Sequence, residues 1–150
     1  MAGVRLALNQ DDFASVDAVL AHAIKGDTGV LMAAIGEHVL AETLINFDRE
    51  QTPKGDSWEA SQRATAEGGK TLQDSRRLFQ SYTYRASDER VDIGSNVIYA
   101  AIHHHGGATG RNHAVTLPAR PALGLSPELQ GEIDDLYTHW ARDLFGGHRA

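Results

Sequence analysis

The sequence contains no cysteine. Disulfide bonds, thiolate metal sites and thiol nucleophiles are therefore excluded, and the composition suits a reducing compartment. No uninterrupted apolar run approaches the length of a membrane span, and residues 1–6 lack the apolar segment of a secretory signal, so neither is predicted. Basic residues are outnumbered, with 14 Lys and Arg against 20 Asp and Glu, and the net charge of −6 predicts no general attraction to nucleic acid.

Motifs for catalysis are also missing. The chain has no G-x-S-x-G nucleophile elbow. Its paired acids, Glu89 with Asp92 and Asp134 with Asp135, fall in a predicted turn and on the polar side of a predicted helix, where solvated charges are expected. The stretch 106–111 lacks the Lys-Ser/Thr ending of a P-loop and opens no βαβ unit, so a flexible loop is favoured over a phosphate cradle. The sequence predicts neither an enzyme nor a bound cofactor.

Three adjacent histidines, His103, His104 and His105, are the feature most suggestive of chemistry. Adjacent side chains point in different directions on a helix or a strand, and a helical zinc site needs ligands at i and i+4. His113 can join them across the glycine loop, which leaves a metal-dependent enzyme open as an alternative function. The favoured interpretation is a helix end, where histidines lie near free backbone carbonyls, and no metal is predicted.

Apolar residues make up 41% of the chain, and charges of both signs are spread along it, which predicts one folded domain over residues 1–150. Apolar residues at helical spacing predict four helices, at 9–24 (with Asn9 as N-cap and a break at Gly26), 28–47, 72–80 and 96–102. A fifth helix is predicted from Pro127 to about Gly146, with Ser126 as its N-cap. Gly36, inside the second of these helices, indicates either a close helix–helix approach or a tolerated defect.

Strand-like chemistry appears at 81–85 and 90–94, which predicts a β-hairpin around a turn at 86–89. A third strand is predicted at 114–118, confined to an edge or an exit from the sheet by Pro118 and Pro121. The predicted fold is therefore α+β, with N-terminal helices, a small mostly antiparallel sheet of about three to four strands, and a C-terminal amphipathic helix.

Two loops interrupt this pattern, a long one at about 48–70 and a glycine loop at 106–112. Long loops in small domains are usually functional or mobile. Trp58 is predicted to anchor the long loop on the core, with a short helical turn after it.

The segment 117–126, here called the strap, is stiffened by two prolines that hold Arg120 between them as an oriented fork of donors. One interpretation is an interface with a neighbouring surface, which predicts that Arg120→Ala keeps monomer stability and loses assembly. The other is an ordinary strand-to-helix connection whose arginine caps a helix or pairs with a carboxylate. Local physics leaves both open.

Four blocks then occur in a fixed order: a phenylalanine followed by Thr-Pro-x-Gly-x-x-Trp at 47–58, then 72–78, 91–106 and 117–126. This order resembles the virion morphogenesis, or tail-completion, proteins of Mu-like contractile-tailed phages, and the resemblance runs from about Leu31 to Leu144. Its most specific parts are Tyr-Ala-x-Ile-His-x-x-Gly at 99–106 and Pro-Ala-Arg-Pro-x-Leu-Gly at 118–124. The chain departs from that family at His104, where a glutamine-like residue is usual, and at Arg76, where glycine is frequent.

The resemblance implies a non-enzymatic protein that acts late in virion assembly, completing the tail or neck and helping to join tail to head. The implied partners are further copies of itself, in a ring expected to be hexameric to match the tail, and other tail, neck or connector proteins. DNA is expected to pass through the ring, without sequence-specific nucleic-acid or membrane contacts. The implied location is the virion tail or neck, and the host cytoplasm during assembly.

The rigid strap and the two loops are reasonable parts for the contacts of a ring. The candidate interface residues are Trp58, Tyr99, His103, Arg111, Pro118, Arg120 and Pro121. A tail-assembly chaperone absent from the finished particle is a further alternative.

Overall fold

The structure, a computed structural model, describes residues 3–9 and 28–146. Its elements in chain order are β1 Val4–Asn9, α1 Gly29–Arg49, α2 Gln62–Glu67, α3 Arg77–Ser81, β2 Thr83–Ala86, β3 Arg90–Ser95, α4 Ala100–His105, β4 Gly107–Thr109, a turn at Arg111–His113, β5 Val115–Leu117 and α5 Pro127–Gly146. The α+β prediction is confirmed, as are the long helix α1, the hairpin β2–β3, the short helix after Trp58 and the C-terminal helix.

Within the described residues, the main sheet is antiparallel with the strand order β1-β3-β2. Alternate side chains of the central strand are buried, and Ile93 lies opposite Leu6 on one side and Tyr84 on the other. This period-2 alternation turns one face of the sheet towards α1. The opposite face carries Arg5 and Arg85, which are exposed.

Helix α1 packs on the inner face of the sheet, and α5 packs against α1. The largest fully buried apolar side chains come from α1, β3 and α5; they are Met32, Ile35, Val39, Phe47, Val91, Ile93, Leu129 and Ile133. One continuous hydrophobic core therefore joins the sheet to both long helices.

Helix α1 is long and apolar enough to cross a membrane by length and composition alone. A core helix passes the same test. Here one side of α1 is buried from Leu31 to Phe47, while Glu37 and His38 are exposed on the other side. We therefore assign α1 to the core, and the absence of a membrane span stays a prediction.

Gly36 allows the close approach that the sequence indicated, but its partner is the sheet and not another helix. A Cβ atom at Gly36 would lie 2.5 Å from Cδ2 of Tyr84 and 3.0 Å from Cγ2 of Val91. Glycine is needed here because the sheet leaves no room for a methyl group.

The predicted third strand of the sheet was assigned to the wrong segment. β5 pairs with β4 in a separate two-stranded sheet, so part of the predicted glycine loop 106–112 is a strand. The third strand of the main sheet is β1, where Val4, Leu6 and Leu8 alternate along the inner face. Asn9, predicted as a helix cap, ends this strand opposite Arg90. The rest of the helix predicted at 9–24, and the break at Gly26, lie outside the described residues.

Two short helices begin later than predicted. Helix α3 cannot begin at Leu72 because Leu72 and Arg76 have left-handed φ angles of 62° and 58°. Position 76 is where the resembling family often has glycine, which adopts this conformation without strain. Helix α4 begins at Ala100 and not at Asn96, since the Ser95 hydroxyl accepts the backbone N–H of Val97 and holds a turn before the helix.

Candidate assembly surface

The strap leads from β5 to α5, and its backbone is tied to three other parts of the chain. The indole Nε1 of Trp58 donates to the carbonyl of Pro121 at 2.9 Å. The side-chain amide of Asn46 donates to the carbonyl of Ala122, also at 2.9 Å. The backbone N–H of Arg120 donates to the carbonyl of His103 at 2.7 Å and so satisfies the end of α4. Hydrogen bonds therefore fix the strap to the long loop, to α1 and to the end of α4.

Arg120 is 5% exposed, so its guanidinium lies inside the molecule. Its Nε donates to the carbonyl of Glu59 at 2.7 Å. These contacts are internal and favour the connection interpretation of the strap, although the acceptor is a backbone carbonyl and not a carboxylate. Arg120 is a positioning residue that joins the strap to the long loop.

Trp58 pins the long loop to the core as predicted. It is 8% exposed, and its ring meets Phe47 edge to face at 5.4 Å. Phe79 and Tyr82 complete an aromatic cluster around Phe47. Such edge-to-face pairs add about 0.5–1.5 kcal/mol beyond the area they bury. The cluster therefore links the long loop to α1, α3 and the start of β2.

The strap and the loop also approach closely at Gly124. A Cβ atom there would lie 2.7 Å from Cγ of Pro53. Ser126 ends the strap by accepting the backbone N–H of Leu129 at 3.0 Å, which makes it the N-cap of α5. The predicted cap at Ser126 is confirmed.

Residues 107–117, here called the arm, form a hairpin that leaves the body next to the strap. Gly106, at its base, has a φ angle of 70°, and a Cβ atom there would lie 2.7 Å from the backbone N of Ala119. Only glycine fits both the conformation and the space. The chain therefore turns into the arm at a fixed point where two backbone segments touch.

The strands of the arm, β4 and β5, pair with each other and, among the described residues, with no other strand. Its tip turns through Asn112 and His113, which have φ angles of 59° and 54°. Arg111 is exposed there, and Val115 is 49% exposed. An isolated two-stranded hairpin is marginally stable in water, and its open edges can pair with another chain.

The three histidines form the last turn of α4, the helix-end position that the sequence favours. The Nδ1 atoms of His103 and His104 are buried without a hydrogen-bond partner. Burial lowers the pKa of both side chains, with a further decrease from Arg120 for His103 and from His105 for His104. In the described part of the chain, no three His, Asp or Glu side chains are grouped so that they could hold a metal ion.

The candidate interface residues divide by position. The structure gathers Trp58, His103, Arg120 and Pro121 around the strap, with Trp58 and Arg120 buried. Tyr99, His103, Pro118 and Pro121 are half-buried, and the Tyr99 ring lies edge-on to His103 at 6.0 Å. Arg111 stands apart on the exposed arm. Val115 is also exposed on the arm, although it is not among the candidate interface residues; its strand was predicted to lie at an edge because of Pro118 and Pro121, which was a signal of exposure.

The model of the phage virion morphogenesis family matches residues 11–141. This chain belongs to that family. A curated relative is the Mu-like prophage FluMu G protein 2 of Haemophilus influenzae strain Rd, with 40% identity over 65 residues. The match covers 43% of this chain and 47% of the relative, so the chain spans about half the length of that protein. No solved structure matches the chain.

Membership of the phage virion morphogenesis family gives the chain a role in phage morphogenesis and a virion-related location. The family is structural, which favours a non-enzymatic role. The resemblance inferred from the four sequence blocks is confirmed.

Proposed function

We propose that this chain completes the tail or neck of a tailed phage and helps to join tail to head, acting as a ring of identical subunits. The observation that carries the proposal is the arm, a hairpin held at a fixed base and exposed along most of its length. Its outward position suits contact with a neighbouring subunit. Family membership supplies the setting in virion assembly.

A closed ring needs two different surfaces on each subunit, because every copy must contact one neighbour on each side. The arm offers one surface that its own body does not cover. The proposed ring is hexameric to match the symmetry of a contractile tail, leaves a passage for DNA, and contacts other tail, neck or connector proteins.

Deletion of the gene from the phage or prophage that encodes it tests the proposal. We expect electron micrographs of the lysate to show heads and tails that are not joined, or unstable tails, and a plasmid copy of the gene to restore intact particles. Normal infectious particles without the protein would contradict the proposal.

Mass spectrometry of purified particles then separates a structural component from an assembly chaperone. A structural component is expected in the mature virion in a fixed copy number, which also gives the ring order. A protein that is required for assembly and missing from the particle would instead identify a chaperone.

A further inference from the structure

The arm is part of a long stretch without acidic residues. No Asp or Glu stands between Asp92 and Glu128, while the whole chain has a net charge of −6. Arg111 is exposed at the arm's tip and makes no ion pair within the described residues. The arm therefore presents a basic tip beside the exposed apolar side chain of Val115.

A groove with more acidic than basic side chains runs between α1, the loop 51–55 and the start of α5. It is open to solvent and has a volume of about 680 Å³. Its ionisable lining consists of the acids Glu37, Glu42, Glu128 and Glu132 and the basic side chains His38, Arg49 and Lys54. Acids therefore exceed the permanently charged bases in the groove.

Two of the groove's acids are available to a partner. In the described part of the chain, Glu42 and Glu128 make no ion pair, whereas Glu132 lies 3.1 Å from His38. Ile45, which also lines the groove, is 45% exposed. The groove thus combines unpaired carboxylates with an apolar side chain, as the arm combines an unpaired arginine with Val115.

Among the described residues, no part of the arm lines the groove of its own chain. The two surfaces are different, complementary in charge, and available on every copy. We propose that the arm of one copy docks in the α1–α5 groove of the next, with Arg111 beside Glu42 and Glu128 and Val115 against Ile45. This inference rests on the proposed function and supplies the heterologous contact that a ring requires. The fixed base at Gly106 lowers the ordering cost of docking.

Because the chain has no cysteine, an engineered pair gives a test without background disulfides. Ala41 in the groove and Ala114 on the arm are both exposed, so the variant Ala41→Cys/Ala114→Cys should fold normally. The sample is particles assembled from this variant in the deletion strain, oxidised and separated on a non-reducing gel. We expect a ladder of covalent oligomers that ends at the ring order.

The matched control is Ala60→Cys/Ala114→Cys, since Ala60 is exposed and lies outside the groove. We expect no ladder from it. Particles that contain the Ala41/Ala114 variant without a ladder, or with an equal ladder from the control, would overturn the docking inference and leave the proposed function intact. Absence of the protein from particles would instead reject the structural role, and the inference with it.

Charge reversal gives a second test of the same contact. We expect Arg111→Glu and Glu42→Arg each to lower the yield of infectious particles by about tenfold or more, and the double variant to recover most of it. Arg85→Glu, on the exposed face of the sheet, is the control and should leave the yield unchanged. A double variant as poor as the single variants would argue against the pairing.

Discussion

Trp58 and Arg120 lie close together in the fold, and the sequence predicts the contacts of Trp58 but not those of Arg120. A tryptophan in a loop with few other apolar residues has to find cover on the core, and Trp58 does so against Phe47. The acceptor for Arg120 is a backbone carbonyl 61 residues away, at Glu59. Every residue presents the same carbonyl, so no side-chain pattern in the sequence identifies which one a buried arginine will use.

We predict that Arg120→Ala lowers the free energy of unfolding of the monomer. The change removes the hydrogen bond from the charged guanidinium to the part-buried Glu59 carbonyl, and a hydrogen bond to a charged group is worth about 1.5–3 kcal/mol. Urea denaturation followed by circular dichroism measures the loss. Arg111→Ala, on the exposed arm, is the control and should change the stability by less than about 0.5 kcal/mol. Unchanged stability with lost assembly would restore the interface interpretation of Arg120.

The lowered pKa of His104 predicts a pH dependence of stability. Above the unfolded-state pKa of about 6.5, the side chain is neutral in both states. As the pH falls below that value, the unfolded chain takes up a proton before the folded chain does, so the free energy of unfolding decreases until the lower folded-state pKa is reached.

The measurement is urea denaturation at several pH values between 7.5 and 5, a range set about the ordinary histidine pKa. We expect His104→Gln to make the decrease less steep, with His103, whose pKa is also lowered, supplying the remainder. His113→Gln, on the exposed tip of the arm, is the control and should keep the decrease. Equal slopes in His104→Gln and the parent chain would contradict the assignment.

At the scale of elements, the two long helices α1 and α5 were predicted, whereas several short elements were missed or displaced. Helices α1 and α5 follow from apolar residues at helical spacing, because such helices form by burying one face. β1 was missed because six residues of alternation are a weak signal until Ile93 supplies the opposite strand. Left-handed backbone at Leu72 and Arg76 decided where α3 begins, and neither residue type announces that conformation.

Two helical glycines allow a matched prediction. Gly131→Ala in α5 should raise the free energy of unfolding by about 1 kcal/mol, because alanine is the better helix former and nothing lies within 4 Å of the added Cβ. Gly36→Ala in α1 should lower it, since the new Cβ would overlap the Tyr84 ring and overpacking costs about 1–3 kcal/mol.

Thermal and urea denaturation of both glycine variants measure whether each free energy of unfolding rises or falls. The two variants are expected to change the free energy of unfolding in opposite directions. A general effect of replacing glycine would change both in the same direction and cannot explain that result. Stabilisation by Gly36→Ala would show that Tyr84 moves aside easily, and that the helix–sheet contact is looser than its geometry indicates.

At the scale of the whole molecule, the prediction of one domain over residues 1–150 stays a prediction, while the main sheet, α1 and α5 share one core. Composition gave the net charge but not its distribution. The acid-free stretch could be read from the sequence, whereas the groove combines side chains from α1 and α5, which lie far apart in the chain. Surfaces assembled from distant segments follow only from the packing.

Because the arm's strands pair only with each other within the described residues, we predict that the body folds without them. Replacing residues 109–115 with two glycines should leave the melting temperature within about 2–4 °C of the parent, the shift for about 1 kcal/mol in a domain of this size. The shortened chain should fail to restore particles in the deletion strain. Circular dichroism and a complementation assay measure the two effects, and an unfolded variant would contradict the prediction.

The fixed base at Gly106 also has a mechanical consequence. A pull on the arm reaches the strap through backbone in direct contact at Ala119, and from there passes to the core through the hydrogen bonds of Trp58 and Asn46. The base of the arm is thus attached rigidly to the body and not through a flexible linker. In an assembly held together by such arms, the fold of each monomer sets the spacing and tilt between neighbouring copies. Tension along the particle then acts on the hydrophobic core of each copy.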